Sequence, residues 1–140
     1  MKKLVLLFIL CLCSILCNAQ TIKYVPAMKP YIGEWVCENG DGTMTLVIEK
    51  VGSNKVTAKY KAVNYEDGRP RTYYTDFEKI QWNNGKFILS YTSYDSNTII
   101  KDVVSLRGNT LTIMFQSWTK TAKGYTLQWE DELVKFYKSW

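Results

Sequence analysis

From residue 31 to residue 137 the apolar side chains of this chain recur at alternate positions. That rhythm restricts the fold more than any other feature, because only an extended strand sends successive side chains to opposite faces. Residues 43–51 show it clearly: Met44, Leu46 and Ile48 share one face, with Thr43, Thr45 and Glu49 mainly on the other. Val56, Ala58, Tyr60 and Ala62 repeat it against Thr57, Lys59 and Lys61. One apolar face and one wetted face mark a strand with a single buried side. No window shows sustained helical spacing, so the chain reads as all-β.

Turn residues separate the runs. Asn39-Gly40-Asp41-Gly42 and Gly52-Ser53-Asn54-Lys55 reverse the chain, and Glu66-Asp67-Gly68 lies within a polar connection over residues 64–70. Asn84-Gly85 is the strongest hairpin signal, since a type I′ turn needs positive φ at both central positions. It pairs Trp82 with Phe87 and Ile80 with Leu89, and carries Glu78 to the same face near Tyr91. Gly108-Asn109 pairs Leu106 with Leu111, Val104 with Ile113 and Asp102 with Phe115, which turns Asp102 inward. Residues 71–82 read as one long strand whose parity changes, with a bulge or bend near Glu78-Lys79. Residues 119–124 form a loop. Residues 125–137 form a last strand, kinked or briefly helical at Glu130-Asp131-Glu132. Short connections make consecutive strands neighbours, and eight of them predict an antiparallel up-and-down barrel. Closure sets the last strand beside Gly33 and Trp35 and removes both edges.

The start of the chain has a different character. Lys2 and Lys3 precede an apolar run over residues 4–16, and Cys17-Asn18-Ala19 offers a cleavage site before Gln20. Residues 1–19 thus read as a signal peptide, which predicts a secreted or periplasmic protein. Cleavage before Cys17 is the alternative and leaves a lipid-anchored form. The apolar run is shorter than the ~20 residues of a membrane span. Residues 20–30 form a polar lead-in that Pro26 and Pro30 keep extended, and residues 31–140 form one barrel domain.

Removal of the signal takes three of the four cysteines and leaves Cys37 alone, so no disulfide forms within one mature chain. It also leaves sixteen basic residues against thirteen acidic ones, a dispersed net charge of +3 without the clustering that nucleic acid requires. The chain contains no histidine, which excludes Ser-His-Asp and Cys-His machinery and the usual zinc sites. Cys37 reads as a small buried apolar residue. No Gly-rich phosphate loop or dinucleotide fingerprint is present, and Asp41-Gly42 is a plain turn. No cofactor, metal or integral membrane span is expected.

Tyr31-Ile32-Gly33-Glu34-Trp35 sets a glycine between two large rings on one side of the first strand. This Gly-x-Trp resembles the opening strand of lipocalin-like barrels, and that of avidin-like barrels. It is similar to the short secreted lipocalin-like families of Gram-negative bacteria. The resemblance implies a calycin-type barrel whose Trp plugs one end. Lipocalins often pair that Trp with an Arg near the last strand, where this chain offers Lys135 and Lys138.

The resulting expectation is a non-catalytic barrel that buries a small apolar or amphipathic ligand. Trp35, Tyr60, Trp82, Phe87, Leu89, Tyr91 and Phe115 line it, and Glu78 or Asp102 orients a polar group. Two other readings stand beside it. One is a solid barrel whose loops or outer face bind a protein or a glycan. The other, weaker, is a hydrolase using Glu78 and Asp102 as acid and base.

Overall fold

The computed structural model describes residues 20–39, 42–92 and 97–139. The expected signal peptide, with Cys17, lies outside them, as do Gly40 and Asp41 of the first turn.

Ten antiparallel strands make one sheet: β1 (Ile22–Lys23), β2 (Gly33–Asn39), β3 (Gly42–Val51), β4 (Lys55–Glu66), β5 (Arg69–Asp76), β6 (Lys79–Asn83), β7 (Lys86–Thr92), β8 (Thr98–Arg107), β9 (Thr110–Thr121) and β10 (Gly124–Lys138). The sheet runs β1-β4-β3-β2-β10-β9-β8-β7-β6, with β5 on β4. The first and last long strands meet, with Val36 opposite Tyr137 and Trp35 opposite Lys138. That pair sits mid-sheet, and the sheet curls into a nearly closed barrel whose two ends are β1 with β5 on one side and β6 on the other.

Two features account for ten strands where the alternation predicts eight. The long strand over residues 71–82 breaks at Phe77-Glu78. Its first half pairs with β4 and its second with β7, so the break turns the chain from one side of the barrel to the other. The added strand, β1, pairs Ile22 with Val56 and Lys23 with Lys55. The Thr57 hydroxyl donates to the Gln20 carbonyl at 2.8 Å and holds this lead-in to β4.

The lead-in is not extended throughout. Pro26–Tyr31 is a 3₁₀ helix. Proline suits the first helical turn, whose N–H groups have no partner inside the helix. Three residues per turn place Met28 and Tyr31 on one side, and both are buried. Tyr31 therefore lies in the helix rather than in the first strand. Its carbonyl accepts the Trp35 indole N–H at 2.8 Å, and its hydroxyl donates to the Gly85 carbonyl at 2.8 Å. The helix so ties β2 to the β6–β7 turn and closes that end of the barrel.

The hairpins follow their turn residues. Asn84 and Gly85 have φ of 52° and 74°, and Trp82 pairs with Phe87 and Ile80 with Leu89. Leu106 pairs with Leu111, Val104 with Ile113 and Asp102 with Phe115. The polar connection over 64–70 is shorter than its composition implies. Asp67 and Gly68 take φ of 53° and 74°, so the ladder runs to Glu66 opposite Arg69. Ladder pairing also runs to Thr121 opposite Gly124. The acidic trio stays in β10, which absorbs it through register shifts between Leu127 and Trp129 and between Glu132 and Val134.

Candidate functional site

Inward-facing side chains change character along the strands. Near the 3₁₀ helix, Trp35, Ile48, Val56, Phe87, Val104, Leu111 and Phe136 are at most 1% exposed. Each such side chain contributes about 1.5–3 kcal/mol by leaving water. Farther along the same faces, Cys37, Met44, Ala62, Tyr91 and Phe115 are only half-buried. The interior is packed at one end and loosens towards the other. Beyond it the β4–β5 and β9–β10 hairpins carry exposed rings, Tyr73 and Trp129 among them.

Asp102 and Tyr60 lie at the boundary. Asp102 stands between Leu89 of β7 and Phe115 of β9 and is 4% exposed. The Tyr60 hydroxyl donates to its Oδ2 at 2.6 Å, while Oδ1, also buried, meets no hydrogen-bond donor among the described residues. A buried carboxylate is costly unless its oxygens are paired. Burial accordingly pushes the Asp102 carboxyl up to about 6, against the opposing effect of the Tyr60 hydrogen bond. Burial, with the Asp102 charge, pushes Tyr91 up to about 12. The same causes, burial first, hold Tyr60 well above the ordinary phenol range. The Phe77 ring bridges the two tyrosines, its centroid 5.0 Å from that of Tyr60 and 6.2 Å from that of Tyr91. The arrangement is a buried carboxyl in an aromatic collar, with one oxygen unpaired among the described residues.

The structure brings together five of the nine residues named from sequence: Tyr60, Leu89, Tyr91, Asp102 and Phe115. Trp35, Trp82 and Phe87 lie at the packed end. Tyr31 meets Trp82 and Phe87 edge-on, at 5.4 and 5.3 Å between centroids, so the plug fills the space around them. Glu78 corrects the register count. The bend at Phe77-Glu78 intervenes before the ladder resumes at Lys79. Phe77 is buried, and Glu78 is exposed with its carboxylate accepting from the Thr92 hydroxyl at 2.7 Å. Thr92 is out of phase with inward Leu89 and Tyr91. Glu78 and Asp102 therefore occupy opposite sides of the sheet and form no acid–base pair.

Sequence reasoning passed over Phe77 and Ser90. Ser90 lies on the outer side of β7, yet is 6% exposed and its hydroxyl has no hydrogen-bond partner among the described residues. It lines a cleft of about 290 Å³ with Glu78, Lys79, Gln81, Ile99 and Lys101. A second outer cleft, of about 440 Å³, is lined by Lys86, Arg107, Thr112 and Tyr137 among others. Among the described residues no group of three or more Cys, Asp or Glu side chains is placed to hold a metal ion, and no helix is long and apolar enough to cross a membrane.

The model of a family of unknown function matches residues 1–101. No curated protein and no solved structure matches the chain.

Proposed function

The chain belongs to that family, DUF6705, and we propose that it is a non-catalytic binding protein that holds a small amphipathic molecule in the open end of its barrel. The observation that carries this reading is the buried Oδ1 of Asp102, unpaired among the described residues. A hydroxyl or ammonium group of a ligand completes its hydrogen bonding. The half-buried faces of Tyr91, Phe115 and Met44 take the apolar body. Binding of this kind is driven by apolar area and oriented by one or two polar groups.

Within β-barrels the reading is lipocalin-like. Gly33-Glu34-Trp35 opens the first long strand, and Lys138 sets its ammonium over the Trp35 ring, at the end of the barrel where lipocalins use an arginine. The reading includes export, with residues 1–19 as a cleaved signal. The first residue of protein recovered from its host tests that point, and Gln20 is the expected result.

Native mass spectrometry of protein recovered gently from its own host tests the binding reading. The expected result is a retained small molecule that is lost in Asp102→Leu and in Phe115→Ala. A bare polypeptide mass under the same handling overturns it. That outcome favours a solid barrel acting through its surface, for which the exposed rings of Tyr65, Tyr74, Tyr125 and Trp129 speak.

A further inference from the structure

We propose that the outer wall of the barrel carries a second site, across β6, β7 and β8, that binds a small zwitterion bearing a carboxylate and an ammonium group, in the simplest case a free α-amino acid. The site is the cleft of about 290 Å³ over Ser90. Ser90 stands directly opposite Lys79 on one neighbouring strand and Lys101 on the other. Strands lie about 4.8 Å apart, so the two lysines are rooted roughly 10 Å from each other with the serine midway. All three project from the outer face in one row.

Ser90 is the unusual member. A serine on the wetted face of a strand normally bonds water, but here it is 6% exposed and its Oγ has no partner among the described residues. Such a hydroxyl is costly to leave unpaired. It can donate to an oxyanion lying between the two lysines. Lys79 makes no ion pair among the described residues, and Lys101 holds its ammonium 4.8 Å from the centre of the Trp118 ring. A carboxylate entering the row thus meets one neutral donor with Lys79 on one side and, on the other, Lys101, whose ammonium swings from the Trp118 ring of β9 to reach it.

Glu78 gives the cleft its selectivity. Its N–H donates to the Ser90 carbonyl at 2.9 Å, which fixes the bend beside the row, and Thr92 holds its carboxylate. A carboxylate at one end of a cationic cleft repels a dianion such as sulfate and attracts an ammonium. The volume falls just below the usual range for ligand pockets, about 300–1,000 Å³, which suits a single amino acid. The site is separate from Asp102, whose side chain faces the interior.

Titration of the intact, isotope-labelled barrel with L-alanine, propionate, propylamine and sodium sulfate, followed by backbone amide NMR, tests the assignment. L-alanine is expected to shift the amides of Lys79, Ser90 and Lys101. Propionate should bind about tenfold more weakly, as expected for one lost charge contact, and propylamine should leave the amides unmoved. Glu78→Gln should bring L-alanine down to the affinity of propionate. Ser90→Ala, and independently Lys79→Gln with Lys101→Gln, should each weaken it several-fold while the remaining spectrum stays that of the folded barrel. The absence of shifts up to about 50 mM L-alanine overturns the proposal. So does sulfate binding as tightly as L-alanine and indifferent to Glu78→Gln, which marks an adventitious ion only.

Discussion

Lys138 holds its ammonium 5.8 Å from the centre of the Trp35 ring, across the pair formed by the first and last long strands of the chain. Gly33 makes room for that contact. Its φ is +140°, and a Cβ there would come within 3.1 Å of Lys138 Cε. The lysine tip can yield, but the backbone conformation remains strained for any L side chain. Gly33→Ala is therefore expected to lower stability by about 1–3 kcal/mol, and Lys138→Met, which keeps the apolar stem, by about 0.5–1 kcal/mol. Urea unfolding of both variants checks this. An unchanged midpoint for Gly33→Ala would mean that the backbone at this position carries no strain.

Asp102 predicts a fall in stability with rising pH. Its carboxyl is raised from 3.8 to about 6, so between those values the folded chain holds a proton that the unfolded chain has released. The stabilisation is complete below about pH 4 and lost as pH rises through 6. A shift of roughly two units corresponds to at most about 3 kcal/mol. Asp102→Asn, which can still accept from Tyr60, should flatten the dependence and stabilise the barrel above pH 7. Urea midpoints between pH 4 and 8 show which holds. Parallel slopes for the two proteins would mean that Asp102 is solvated in the folded state.

Much of this arrangement is legible from residue types, because side-chain parity and two hairpin turns fix register locally. Counting back from Gly108-Asn109 places Asp102 inward opposite Phe115, as found. Counting back from Asn84-Gly85 succeeds through Ile80 and fails at Glu78, because a bend cancels the parity on which counting depends. The number of strands differs from the expected eight for the same reason. The 3₁₀ helix was hidden because two prolines discourage an α-helix while permitting a single tight turn. The Lys79–Ser90–Lys101 row needs the register of β7 against β8, and the intervening connection has no Asn-Gly or similar pair to set it. Trp35, Trp82 and Phe87 differ from Tyr60 and Phe115 only in height along the barrel, and alternation gives the face of a side chain but not its height.

The tyrosines extend the pH argument to alkaline conditions. Tyr91 is raised to about 12, and Tyr60 well above 10, both chiefly by burial. The unfolded chain gives up phenol protons near pH 10, before these two side chains do so in the folded barrel. Stability is therefore present below pH 10 and drains as pH rises towards 12. Tyr91→Phe should reduce that loss. In a spectrophotometric titration the native protein should show at least two phenols that ionise only with unfolding. Reversible ionisation of every tyrosine near pH 10 would contradict the buried collar.

Phe77 connects the fold to the site. It is 3% exposed, follows the last residue of β5 and packs between Tyr60 and Tyr91. The bend that turns Glu78 outward is thus held by a ring turned inward. Truncating a buried phenylalanine costs about 3–5 kcal/mol, part of it from the cavity left behind. Phe77→Ala should fall in that range, and Phe77→Leu, which keeps most of the volume, should cost much less. Because the ring abuts both phenols, Phe77→Ala should also admit water beside Asp102 and return its carboxyl towards the ordinary range. Carboxyl NMR titration of the folded variant reads that shift directly. A variant that loses the expected stability but keeps the raised Asp102 would show that burial by the β7 and β9 neighbours, Leu89 and Phe115, suffices without the bend.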